Sequence, residues 1–250
     1  MHIIFYFTIG CAILGGMGVA IANLIGDEEA TRQRWIRYYS YIITTLVVIV
    51  TIFTKLFPIL TILIILAGYY EVIRAVVKYK QRNLPLLISS LAGFTLIAAG
   101  FLFFSFIFNP YFLFSIYLQV LMFDIFSQVS GNVLARRSLP PGIDRAKTVE
   151  GVGGGFLFCV FTALIVSGML NVTFGVSLFI GVLTATTAVT GDMLATWFKR
   201  KMNLKQYSKL LPGQGGFLDR FDSYMVSGLV YYCLAITVLK HLLAPFLIAG

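Results

Sequence analysis

Residues 191–223 read GDMLATWFKRKMNLKQYSKLLPGQGGFLDRFDS, a polar stretch set in an otherwise apolar chain. It carries three of the ten acids (Asp192, Asp219, Asp222) and six of the nineteen Lys and Arg residues, with Pro212-Gly213-Gln214-Gly215-Gly216 between them. Long apolar segments flank it on both sides. Charges gather in a membrane protein where water or function supports them. The stretch therefore predicts a membrane-surface segment joining two spanning helices.

Composition agrees. Apolar residues make up 59% of the 250 residues and charged ones only 12%, against about 25% in an average soluble domain. A spanning helix needs roughly 20 apolar residues, with about 17 as the lower limit. Spans are expected near 3–25, 38–54, 57–73, 84–106, 110–127, 151–170, 172–190 and 223–246. The fold class is thus all-α, a polytopic integral membrane protein of about eight (seven to nine) transmembrane helices. It forms one membrane-embedded unit, with 1–110 as N-terminal helices and 111–250 as the part carrying the polar motifs. The first apolar run is long enough to span and lacks a basic leader, so no cleavable signal is expected. With the N-terminus outside, the segments 26–37, 74–83, 128–150 and 191–222 face the cytoplasm and hold seventeen of the nineteen basic residues. The net charge of +9 then belongs to the cytoplasmic face, where anionic headgroups and nucleotides are natural partners. No fixed-period repeat and no matching pair of inverted halves is visible, which weighs against a transporter.

Cys11, Cys159 and Cys233 lie in apolar runs without metal-ligand spacing and read as free thiols. His2 and His241 are far in sequence from the acids, which argues against a zinc site or a histidine base. If the chain stays helical past Gly191, then Asp192, Thr196 and Lys199 share one face. Asp219 and Asp222 share a face at the start of the last span. Two helix ends joined by a glycine turn would bring three carboxylates together, a hard oxygen set suited to Mg²⁺ with phosphates and water completing the shell. The plainer alternative is that Asp219 and Asp222 cap their helix and the basic run is a topology signal. The glycine turn lets backbone N–H groups approach an anion, although it is not a Walker loop. In the loop 128–150, Arg145, Lys147 and Thr148 are candidates to reach a phosphate. Gly151 and Gly155 read as close helix packing. Asp124, near a helix end, stands evenly between function and structure. Glu71 and Arg74 read as a surface ion pair, and Phe101 to Phe108 as lipid-facing or packing surface.

At these residues the chain resembles the phosphatidate cytidylyltransferases (CDP-diacylglycerol synthases). The resemblance rests on Lys199-Arg200, Lys205, Leu211-Pro212-Gly213, Gly215-Gly216, Asp219-Arg220 and Asp222-Ser223. Lys147-Thr148-Val149-Glu150-Gly151 is similar to a second motif of that family, in the expected order. It covers roughly residues 120–225, and the chain is identified as a divergent member. Thr196 stands where the family has Ser, Gln206 where it has Asp, Gln214 where it has His, and Asp144-Arg145-Ala146 where it has Ser-Pro-Lys.

The resemblance implies transfer of a cytidylyl group from CTP to phosphatidate, giving CDP-diacylglycerol and pyrophosphate in phospholipid biosynthesis. It implies Mg²⁺ on Asp192, Asp219 and Asp222, with a monovalent ion such as K⁺ beside it. Lys199, Arg220 and Asp222 would be the catalytic groups. Arg145, Lys147, Thr148, Lys205, Gly213, Gly215 and Gly216 would bind substrate phosphates. The expected partners are CTP, a lipid phosphate, membrane lipids and a second copy of the chain, with no nucleic acid. The expected location is a bacterial inner membrane with the site on the cytoplasmic side. A CTP-dependent lipid-alcohol kinase, releasing CDP, is the enzymatic alternative, and a transporter the non-enzymatic one.

Overall fold

The computed structural model describes residue 10 and residues 28–78, 84–134, 148–202, 204, 206–208, 210–213, 215–237 and 243–248. These form seven long helices: α1 (Glu28–Phe53), α2 (Phe57–Lys78), α3 (Leu84–Ile107), α4 (Pro110–Leu134), α5 (Val149–Leu170), α6 (Phe174–Lys201) and α7 (Leu218–Ile236). Among the described residues, α1 to α6 each contain a segment long and apolar enough to cross a membrane, and no strand is present. The architecture is that of a polytopic membrane protein.

Six of the eight expected spans coincide with α1 to α6, and the segment 3–25 lies almost wholly outside the described residues. Two boundaries differ. The span expected at 172–190 continues as helix to Lys201, because no glycine pair or proline interrupts residues 191–201. The last span begins earlier and stops earlier than 223–246. It is helical over Leu218–Ile236, and a separate 3₁₀ turn follows at Ala244–Phe246. Its first turns hold Asp219, Arg220 and Asp222.

The breaks have local causes. Lys55 takes a left-handed conformation (φ 60°) between α1 and α2, and Asn171 does the same (φ 50°) between α5 and α6. Asn109 caps α4 by accepting the Phe112 N–H at 2.9 Å, and Pro110 fills the first helical position.

Much of the core is aromatic. Phe101, Phe104, Phe108 and Phe112 are buried against Tyr224 and Tyr231, while Phe103 and Phe106 on the other face of α3 remain exposed. The buried hydroxyls find carbonyls: Tyr224 donates to Leu113 O at 3.0 Å and Tyr231 to Ile180 O at 3.0 Å. Small residues set the helix crossings. A Cβ on Gly155 would lie 2.7 Å from Phe123 O, and one on Gly151 would lie 2.7 Å from Ser127 O, so α5 touches the α4 backbone. The packing role expected for these two glycines is therefore observed. Gly191 plays the same part for α6, where a Cβ would meet Ser223 Cα of α7 at 2.8 Å. Ser223 pins that crossing by donating to Ala188 O at 3.0 Å, and Ser227 pairs with Thr187 at 2.8 Å.

Gly155→Val is expected to destabilise the α4–α5 contact by about 1–3 kcal/mol through overpacking. Gly153→Ala, where a Cβ meets nothing within 4 Å, should not destabilise the protein. Melting curves of the two variants in detergent check this.

Candidate functional site

The site forms where α6 and α7 approach at Gly191 and Ser223. That contact places Asp192 on one helix and Asp222 on the other along the wall of one polar cavity of about 350 Å³. Asp219, Arg220, Gln206 and Gly213 also line it, as do Asp124 and Gln128 of α4 and Arg37 and Tyr41 of α1. The three aspartates expected from the sequence thus share one cavity. Because α6 is helical through Lys201, Asp192, Thr196 and Lys199 do lie at i, i+4 and i+7 on it, and Thr196 is buried.

Asp219 accepts three hydrogen bonds. One carboxylate oxygen accepts from Lys199 Nζ at 2.8 Å. The other accepts from the backbone N–H groups of Tyr207 at 3.0 Å and Gly216 at 2.9 Å. Asp219 therefore ties the end of α6 to the loop and the glycine turn. It does not cap its own helix. Lys199 is held there and also lies 5.5 Å from the centre of the Tyr207 ring. Tyr207 lies in the loop outside the spans. Burial first, then Asp222, Asp219 and Glu71, push its phenol well above the ordinary tyrosine range. It stays protonated and donates to Ala195 O at 3.2 Å.

The cap of α7 comes from another helix. Glu71 of α2 is fully buried and accepts from the N–H groups of Phe217 and Leu218, each at 2.9 Å, and from the Ser208 hydroxyl. A carboxylate is favoured at a helix N-terminus by its free N–H groups and dipole. The surface ion pair expected for Glu71 and Arg74 is corrected accordingly. Position 71 looked like a helix end by hydropathy, but α2 runs on to Lys78 and the loop 206–217 folds over it. Gly216 is glycine for the same reason, since a Cβ would lie 2.5 Å from a Glu71 oxygen.

The turn itself is closed by two backbone bonds, Leu211 N–H to Gly215 O at 2.8 Å and Gly215 N–H to Leu211 O at 3.1 Å. Gly213 (φ 74°) and Gly215 (φ 101°) both need glycine's conformational freedom. The N–H groups of Gly215 and Gly216 are bonded within the protein, to Leu211 O and Asp219. The turn thus acts as a strap with a defined shape, held by those two bonds.

Arg220 donates to Asp124 at 3.3 Å, and its guanidinium lies 4.0 Å from the centre of the Tyr41 ring. Asp124 is thereby placed in the site. Thr148 sits elsewhere: it caps α5 by accepting the Gly151 N–H at 3.1 Å, and it does not line the cavity. Arg145, Lys147, Lys205 and Gln214 lie outside the described residues. Arg37, Tyr41 and Tyr207 were not singled out in the sequence, and Glu71 was singled out for a different role, because each acts across a separation that local spacing does not reveal.

An apolar groove of about 340 Å³ lies alongside, bounded by Val72 of α2, Phe94 and Ile97 of α3, Trp197 and Phe198 of α6 and Met225 of α7. Asp222 lines both the groove and the polar cavity, and Lys201 stands at the groove, 4.9 Å from the centre of the Trp197 ring.

A family model described as the cytidylyltransferase family matches residues 107–238, just over half of the chain. The chain belongs to the cytidylyltransferase family. The match runs from the end of α3 through α7 and takes in every aspartate of the cavity. Phosphatidate cytidylyltransferases from Aquifex aeolicus, Staphylococcus saprophyticus and Rickettsia bellii are 37%, 34% and 32% identical to it. Each alignment covers 44% of this chain, and respectively 41%, 43% and 51% of those proteins. The chain thus spans about half or less of the length of these relatives.

Glu71→Ala is expected to leave the Phe217 and Leu218 N–H groups without their acceptor, at a cost of roughly 1–3 kcal/mol for each orphaned donor. A fall in melting temperature in detergent, with faster hydrogen exchange at Phe217 and Leu218, is the expected reading. Unchanged exchange at both amides would show that Glu71 is not the cap.

Proposed function

We propose that this chain transfers a cytidylyl group from CTP to phosphatidate, giving CDP-diacylglycerol and pyrophosphate. The observation that carries this reading is the polar cavity lined by Asp192, Asp219 and Asp222, joined through Asp222 to an apolar groove. The family and the names of the relatives agree with it. The acceptor is an amphiphile, and a site that sets a carboxylate-lined cavity against an apolar groove suits one. The headgroup would reach the cavity from the membrane surface while the tails stay among the helices.

In the reaction, an oxygen of the lipid phosphate forms a bond to the α-phosphorus of CTP. The bond from that phosphorus to the bridging α–β oxygen breaks, and the electron pair leaves with pyrophosphate. A phosphomonoester is largely dianionic at neutral pH, with a second pKa of about 6, so the nucleophile needs no general base. The difficulty is charge. The described walls of the cavity hold four carboxylates and two guanidiniums, which would repel a polyphosphate arriving alone.

That excess of hard oxygen donors fits Mg²⁺. Among the described residues no three His, Cys, Asp or Glu side chains form a complete ligand cluster. Mg²⁺ is commonly held by one or two carboxylates with substrate phosphates and water supplying the rest. Asp192 and Asp222 are the residues assigned to hold it, and Asp219, with three donors already on it, is assigned to fix Lys199 and the glycine turn. When bound, the ion neutralises phosphate charge and polarises the phosphoryl oxygens. Arg220, braced by Asp124 and Tyr41, adds a fixed positive charge that needs no reorganisation during the reaction. Lys199 keeps Asp219 in place through its 2.8 Å bond. The excess of basic residues in the loops on this side supports a cytoplasmic orientation for the site.

Purified protein in detergent with CTP, Mg²⁺ and phosphatidate is expected to release pyrophosphate only when both substrates are present. Asp192→Asn and Asp222→Asn should each lower the rate by about a hundredfold or more. Release of CDP instead of pyrophosphate, or full activity in both variants, would overturn the reading.

A further inference from the structure

We infer that Arg37 of α1 is a direct phosphate receptor of this site, supplied by a helix outside the family-matched stretch 107–238. The inference rests on the cytidylyl-transfer reading and adds a residue to it.

Arg37 lines the polar cavity, and its Nε donates to Gly213 O at 3.0 Å. The contact is close on the backbone side as well, since a Cβ on Gly213 would lie 3.1 Å from Arg37 Cα. The glycine turn thus sits directly against α1 and fixes the guanidinium at its edge. With Nε engaged, the two terminal nitrogens remain, and they have no other partner among the described residues. Two nitrogens side by side match two non-esterified oxygens of a phosphate, the geometry that distinguishes arginine from lysine.

The cavity's other arginine is already committed. Arg220 is nearly buried, with its side chain 8% exposed, and is held by Asp124 and the Tyr41 ring. Arg37 is exposed and within reach of an incoming ligand. α1 also carries an aromatic cluster beside Arg37: Trp35 stacks on Tyr39 with ring centres 5.5 Å apart, and Tyr38 packs edge-on to Trp35 at 5.7 Å. Such aromatic groups sit at the headgroup level of a bilayer. A cluster of this kind beside Arg37 fits a position at the headgroup level, where a lipid phosphate would meet a nucleotide. Phosphate oxygens of either origin satisfy the same fork, and the experiment separates them.

The test uses the full chain in detergent with Mg²⁺, and no turnover is required. Arg37 is labelled with the arginine reagent phenylglyoxal, and labelling is read by mass spectrometry with and without inorganic pyrophosphate or phosphatidate micelles. Binding of the same two probes is then measured by calorimetry for Arg37→Gln and Arg37→Lys. Arg32→Gln serves as control, since Arg32 is an exposed α1 cation that does not line the cavity. Protection of Arg37 by one probe is expected, with binding of that probe weakened about tenfold in Arg37→Gln, less in Arg37→Lys and within about twofold in Arg32→Gln. Protection by pyrophosphate assigns Arg37 to the nucleotide, and protection by phosphatidate assigns it to the acceptor. Labelling unaffected by either probe overturns the inference even if a variant fails to fold. If Arg37 is protected but no pyrophosphate is released from CTP and phosphatidate, the receptor stands and the cytidylyl-transfer reading falls.

Discussion

Two carboxylates, Glu71 and Asp219, hold the polar half of this molecule together by accepting backbone N–H groups of a loop that has little other regular structure. Glu71 takes Phe217 and Leu218; Asp219 takes Tyr207 and Gly216. A buried carboxylate without donors is strongly unfavourable, and a helix start without acceptors is also costly, so each satisfies the other. The start of α7, the shape of the glycine turn and the position of Lys199 all follow from these bonds. The Gly191–Ser223 contact then brings α6 and α7 together and sets Asp192 and Asp222 on one wall.

The result is a division of labour among the acids. Glu71 lies outside the cavity lining and caps α7, Asp219 lines the cavity and also holds the loop, and Asp192, Asp222 and Asp124 line it with Arg37 and Arg220. Acidic residues close in sequence thus serve different ends. The difference comes from which backbone N–H groups lie within reach of each.

Much of this was legible in the sequence, for physical reasons. Apolar runs of spanning length located α1 to α6, because hydropathy reports directly on the solvent each segment meets. Helical spacing placed Asp192, Thr196 and Lys199 together, and the family motifs pointed to the right stretch of chain. What remained hidden was contact across long separations. Nothing near Glu71 signals that residues 208, 217 and 218 will close over it. Nothing near Arg37 signals a carbonyl at position 213. The role of Thr148 as the cap of α5 was likewise not read from the sequence, where its place beside a motif lysine drew attention to phosphate binding instead.

Asp222 borders both the carboxylate-lined cavity and the apolar groove. Under the proposed reaction, an acceptor drawn from that groove would be dissolved in two dimensions rather than three. Its occupancy at the site follows its mole fraction among the surrounding lipids, and bulk volume drops out of the description. Diluting such a system with buffer leaves the acceptor side unchanged, whereas diluting it with inert lipid or detergent depletes it. Under the proposed reaction the nucleotide would obey the opposite rule, so its two substrates would be governed by separate concentration scales.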